Sequence, residues 1–181
     1  MEALATSVED NGGVYIVPAF SGLGAPWWQS DVKGAVFGLT FATTKAHFLR
    51  AALESIAYQI KDLVDVMVKS LKPAAEANSS LFTLHSSLKE IAADGGPTKN
   101  QFLMQFQADM LDTPVVCTEV DDASALGAVI MNGFARGLWK SFDEVVGFRK
   151  VTQTYEPTSH LSPLTSHLYE GWRNAVNQLI K

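Results

Sequence analysis

Ala92-Ala93-Asp94-Gly95-Gly96-Pro97-Thr98-Lys99-Asn100-Gln101-Phe102-Leu103-Met104-Gln105-Phe106-Gln107-Ala108-Asp109 reads as a strand that breaks through paired glycines into a helix. Gly95 and Gly96 carry no Cβ, so both can adopt φ > 0 and a ligand can lie against the main chain. Pro97 suits the first helical position, because its φ is already helical and its missing N–H would have had no intrahelical partner. The next N–H groups and the positive end of the helix dipole then face whatever sits over the glycines. Asn100, one turn in, offers a donor and an acceptor that match an adenine or ribose edge, with Thr98 on the margin. The same run also serves as a plain strand-to-helix turn in any α/β domain.

Outward from this junction the pattern repeats. Leu88 to Ala93 is a short strand bounded by glycines, suited to cover on both faces. The helix from Pro97 to Leu111 packs through Phe102, Leu103, Phe106 and Met110 and is ended by Asp112-Thr113-Pro114, before a further strand at Val115 to Thr118. Asp121 or Asp122 caps a third helix that Gly137 closes, and Ala125, Gly127, Ala128 and Gly133 leave its backbone open to close approach. Upstream, Val14 to Phe20 and Gly34 to Thr40 are strand candidates. They flank the loop Gly22 to Pro26, which ends in Trp27 and Trp28; at least one of these rings is expected to bury and fix the loop.

Between about Ala46 and Lys69, Leu49, Leu53, Ile56, Ile60, Leu63 and Met67 recur at intervals of four and three, the stripe of a long helix with Thr43 or Thr44 as its cap. Ser70 to Ser80 loses that period and reads as a loop. Leu168, Trp172, Val176 and Leu179 give a C-terminal helix its apolar face, after a turn-rich stretch around Glu156-Pro157-Thr158. Met1 to Asp10 is either the tail of a helix or residues contributed by expression.

With 181 residues, 47% hydrophobic and 18% charged, the chain has the make-up of one globular α/β domain. A net charge of −5 offers no basic stripe, which makes nucleic acid and anionic membrane poor partners. No apolar run reaches the ~20 residues that a membrane span needs, and the N-terminus lacks the pattern of a secretory signal. The single cysteine, Cys117, excludes an internal disulfide framework and is compatible with the cytoplasm. His47, His85, His160 and His167 are scattered without companions at metal-ligand spacing, so no metal site is assigned.

Four stretches together carry a resemblance. Asp94-Gly95-Gly96 followed by Asn100 and Phe102 to Asp109 is similar to the adenosine motif of the FGGY family of carbohydrate kinases. Gly34-Ala-Val-Phe-Gly38-Leu39, His47-Phe48 and Ala51-Ala52-Leu53-Glu54 resemble the family's C-terminal signature, Val17 to Trp28 the loop before it, and Ser124 to Ala128 a later connecting helix. The likeness covers about residues 12–140, with a helical extension over about 155–181.

The resemblance implies the C-terminal domain of an actin-like ATPase (ribonuclease H-like) fold, without its first strands, occupying residues 1–181. It implies ATP or ADP and Mg²⁺ as cofactors, and a cytoplasmic enzyme that phosphorylates a hydroxyl of glycerol or a related polyol or sugar. The adenosine pocket would be shaped by Gly95, Gly96 and Pro97, with Thr98 and Asn100 beside them. Asp94 and the Phe-Leu-Met-Gln-Phe-Gln run favour the glycerol-phosphorylating members, whereas Pro97-Thr98-Lys99 departs from the small residues expected there. A xylulose or other sugar kinase, or a non-catalytic actin-like nucleotide-binding module, are the alternatives.

Phosphoryl transfer also needs a carboxylate to take the hydroxyl proton. The family's catalytic aspartate and phosphate turns lie upstream of Met1 in the resemblance, so no catalytic residue is assigned in this chain. Asp94 is expected to fix the glycine turn, Asp109, Asp121 and Asp122 to cap or solvate helix ends, and Glu54 to pair with Arg50 one turn earlier. The expected partners are an N-terminal kinase domain and the acceptor substrate. The edge beside Leu88 to Ala93 would be a template for pairing with another copy, so the chain alone is expected to be catalytically silent and prone to associate.

Overall fold

The computed structural model describes residues 1–70, 88–120, 122–148, 150–158 and 163–180. In chain order the elements are α1 (Glu2–Ala5), β1 (Tyr15–Val17), β2 (Ala35–Phe37), α2 (Lys45–Ser70), β3 (Ile91–Ala93), a 3-10 turn (Gly96–Lys99), α3 (Gln101–Leu111), β4 (Val115–Thr118), α4 (Ala123–Ala135), β5 (Val151–Tyr155) and α5 (Pro163–Leu179). The loop expected at Ser70 to Ser80 falls outside the described residues, save for Ser70 at the end of α2. Asp121 also falls outside them.

Two small sheets frame the domain. β1 and β2 pair antiparallel, Tyr15 opposite Phe37. β3, β4 and β5 lie in that order; β3 and β4 are parallel with Ile91 opposite Val115, and β4 and β5 antiparallel with Val115 opposite Tyr155. The parallel pair is joined through α3, the crossover that parallel strands require. β3 is an edge strand, as the sequence implies, but only partly covered: Ala92 is exposed between half-buried neighbours. β5 escaped the sequence reading because four of its five residues are exposed and carry no alternation.

α2, α3 and α5 pack together with β1 over a core in which Trp172, Tyr58, Leu103 and Val17 are almost wholly buried. Trp172 stacks on Tyr58 with ring centroids 5.5 Å apart, and Phe106 meets the same ring edge-on at 5.7 Å. Of the two tryptophans after the glycine loop, Trp27 donates its indole N–H to Asp62 at 3.1 Å while Trp28 stands 77% exposed.

Thr44 is the cap of α2. Its N–H donates to His47 Nδ1 at 3.1 Å, and the His47 N–H reaches back to Thr44 Oγ1 at 3.5 Å, a capping box with histidine in the place of the usual glutamate. The inward face of this helix is only in part the apolar stripe that its sequence presents, of which Leu53 is buried and Leu49 and Ile60 are half-buried. Glu54, Tyr58, Asp62 and Asp65 are buried, whereas Ile56, Leu63, Val66 and Met67 are exposed. The small-residue face of α4 is corrected too: at Gly133 a Cβ would run into the Trp139 ring, but Gly127 has nothing near it and Ala125 and Ala128 are exposed.

Candidate functional site

The carboxyl ends of the parallel strands β3 and β4 open side by side, which is where α/β sheets place ligands. A cavity of about 300 Å³ lies there, with Gly95, Thr98 and Lys99 on one wall and Thr118, Glu119 and Gln153 on the other. A second hollow of about 180 Å³, bounded by Asp94, Thr118, Ala123 and Leu126, sits on the α4 side. The rule for strand ends could have found Thr118 in the sequence; Gln153 sits on the unheralded β5 and gave no signal.

The turn is built differently from its sequence expectation. Gly95 has φ 86° and ψ −176°, a conformation essentially confined to glycine. Gly96 lies outside the positive-φ residues, and a Cβ on it would meet nothing within 4 Å, so its value is open space above the main chain. Pro97 falls in a four-residue 3-10 turn instead of opening the α-helix. Thr98 locks that turn by donating its hydroxyl to the Gly95 carbonyl at 2.7 Å. Asp94, expected to do this, is exposed and makes no hydrogen bond to the turn.

Asn100 is extended, at φ −92° and ψ 104°, and serves as the N-cap of α3: its Oδ1 accepts from the Leu103 N–H at 2.9 Å. This single residue therefore ends the 3-10 turn and starts the helix. Its Nδ2 has no protein acceptor among the described residues, which leaves two donors unused, but Asn100, like Gly96 and Pro97, does not itself line the cavity, whose wall on this side is Gly95, Thr98 and Lys99. The first-turn N–H of Phe102 is also engaged, donating to Glu2 Oε1 at 2.9 Å. The electropositive tip expected to face a ligand is thus partly neutralised by a carboxylate from α1.

The remaining acids have structural posts. Asp122 Oδ1 caps α4 by accepting from the Ala125 N–H at 2.9 Å, and Asp109 Oδ1 holds the N–H and hydroxyl of Thr158, each at 2.8 Å. Glu54 pairs with Arg50 at 2.9 Å, as its spacing implies, and also accepts from Asn11 at 2.8 Å and Tyr58 at 3.1 Å. Burial raises the Glu54 carboxyl above its ordinary pKa, opposed by the Arg50 guanidinium. Burial likewise pushes up the Cys117 thiol at the floor of the cavity. Among the described residues no three His, Cys, Asp or Glu gather to hold a metal ion, and no helix is long and apolar enough to cross a membrane.

Residues 1–136 match the model of the FGGY family of carbohydrate kinases, C-terminal domain. The chain belongs to this family. Glycerol kinase of Bacillus subtilis (strain 168) is 46% identical over 175 residues, and glycerol kinase of Xylella fastidiosa (strain 9a5c) 45% identical; each match covers 97% of this chain and 32% of the relative. The chain thus spans about a third of the length of these FGGY relatives. Among solved structures, Plasmodium falciparum glycerol kinase with ADP superimposes with a TM-score of 0.77 at 29% identity, covering 99% of this chain and 33% of that one. Ligand-bound xylulose kinase from Lactobacillus acidophilus gives 0.75 at 22% identity over 98% and 34%, a likeness of fold. The α/β architecture is that of the actin-like C-terminal domain of FGGY kinases.

Proposed function

We propose that this chain is the nucleotide-binding C-terminal part of an ATP-dependent kinase that phosphorylates a hydroxyl of glycerol or a related polyol. The observation that carries the reading is the cavity at the carboxyl ends of β3 and β4, walled on one side by Gly95, Thr98 and Lys99 of the glycine turn. Its volume lies at the small end of the range for ligand pockets, a fit for a nucleoside. Gly95 and Thr98 line the wall, Gly96 and Pro97 belong to the same 3-10 turn and give it its shape, and the Asn100 amide donors are assigned to the base or ribose. An ADP-bound glycerol kinase of the same fold supports the nucleotide, and relatives at 45–46% identity favour glycerol over the sugars of the more distant neighbours.

In the transfer, the γ-phosphoryl group passes to the substrate oxygen, ADP leaves, and a carboxylate accepts the hydroxyl proton. This chain's part is to bind and orient the nucleoside. Its described residues do not assemble a Mg²⁺ site, and its described aspartates are engaged elsewhere or exposed, so the base and the metal ligands are sought in the N-terminal part of the kinase. Exposed apolar side chains such as Phe20, Phe41 and Val129 fit a chain that packs against such a part in a cytoplasmic enzyme.

The test is a phosphorylation panel of glycerol, erythritol, xylulose, ribulose and gluconate with the assembled kinase; glycerol is expected to give the highest kcat/KM. Preference for a sugar or its acid moves the chain to another branch of the family, and no transfer to any of them favours a non-catalytic module. Asn100→Leu is expected to raise the KM for ATP by about ten-fold or more, the scale of a lost hydrogen bond plus a blocked pocket. Unaltered ATP dependence removes Asn100 from the site.

A further inference from the structure

The nucleotide-facing turn is held from behind. Immediately after Asn100, the first turn of α3 is gripped at Phe102 in two ways. Its backbone N–H donates to Glu2 Oε1 at 2.9 Å across 100 residues of sequence, and its ring lies 4.8 Å beneath the Arg50 guanidinium. Arg50 is itself fixed, donating from Nη1 to the Val8 carbonyl at 2.8 Å and from Nε to the buried Glu54 at 2.9 Å. Asn100 contributes the adjacent cap, accepting from Leu103.

We infer that Glu2 is a positioning residue for the nucleotide: by accepting the Phe102 N–H it fixes the first turn of α3, and so sets where the free amide donors of Asn100 point. This rests on the proposed function of the Gly95–Asn100 turn. A helix whose first turn frays would let Asn100 choose between capping Leu103 and turning toward solvent, and each choice displaces its Nδ2. With the Phe102 N–H held by a second acceptor, the cap and the ligand contact are served at once by the two ends of one amide. The clamp also explains the short helix α1, whose first residue reaches α3 while the helix itself packs on α2. Because the carboxylate neutralises the helix tip, the arrangement suits the uncharged nucleoside end of ATP better than its phosphates.

The test uses the assembled kinase with Glu2→Ala, Glu2→Gln and Arg50→Met. Loss of the acceptor in Glu2→Ala is expected to raise the KM for ATP by about three- to ten-fold, the span of a lost helix cap, while kcat and the KM for the acceptor alcohol stay within about two-fold. Glu2→Gln keeps an oxygen facing Phe102 N–H and is expected to recover most of that loss; Arg50→Met, which keeps only the apolar contact, is expected to raise the same KM. Equal KM for ATP in wild type and Glu2→Ala overturns the inference. So does a loss in Glu2→Ala that lowers kcat and both affinities alike, or one that Glu2→Gln fails to relieve. A wild-type enzyme with no saturable dependence on ATP would instead strike the proposed function, and the two failures are told apart by that control.

Discussion

On one face of α2, Glu54, Tyr58, Asp62 and Asp65 lie buried among hydrogen-bond partners; on the other, Ile56, Leu63, Val66 and Met67 stand in the open. The inner face works because its acids are met. Asp62 accepts from Trp172 Nε1 at 2.9 Å, Trp27 Nε1 at 3.1 Å and the Tyr169 hydroxyl at 2.5 Å, so one carboxylate ties α5 and the glycine loop to the long helix. Asp65 takes Lys61 Nζ at 3.1 Å, and Lys61 lies over the Tyr169 ring at 5.0 Å. Buried polar groups of this kind confer little net stability when satisfied, yet cost much when one partner is lost. The outer face obeys the opposite logic, having apolar surface that nothing among the described residues buries.

Neighbouring positions test that contrast most directly. Asp62→Ala leaves up to three donors without an acceptor and is expected to cost about 2–5 kcal/mol in urea unfolding. A loss under 1 kcal/mol would mean that the indoles find other acceptors and that the inner face is not held by its acids. Glu54 gives a finer reading. Its folded pKa is raised above the unfolded 4.5, so between those two values the native state binds more protons than the unfolded state, and stability rises as pH falls. Relative to Glu54→Gln, the wild type is therefore expected to gain stability as pH falls from neutrality toward the unfolded value of 4.5. The reverse slope would show that the Arg50 pairing outweighs burial.

The same helix shows what the sequence could and could not reveal. Its length, the parallel strands around Gly95-Gly96 and the C-terminal helix through Trp172 all follow from periodicity and punctuation, which are local. Which face of α2 turns inward is not local. Leu49 to Met67 make an apolar stripe, and a stripe names a buried face only if the rest of the chain supplies its cover. Here Trp27, Tyr169 and Trp172 bring polar tips to the opposite face and make burial of Asp62 workable. The candidate site divides in the same way. The strained φ at Gly95 and the open space at Gly96 were legible as a glycine pair, but the carboxylate that meets the first turn of α3 at Phe102 comes from Glu2, a hundred residues away, and no local pattern announces it. β5, with its exposed Thr and Gln side chains, holds its place by pairing with β4 and left no pattern to find.

The smallest effect sharpens the contrast from its outer side. Leu63 follows Asp62 in sequence, yet is 40% exposed, and Met67 one turn on is 63% exposed. Leu63→Gln and Met67→Gln together are expected to change the unfolding free energy of the isolated chain by less than about 1 kcal/mol, since surface replacements rarely do more. Their visible consequence is expected in association. Sedimentation velocity should show wild type shifting to larger species as concentration rises and the double variant doing so less, because an exposed apolar stripe is a contact surface. If the double replacement unfolds the chain as readily as Asp62→Ala, the stripe is already covered from within, and the inversion of the two faces falls.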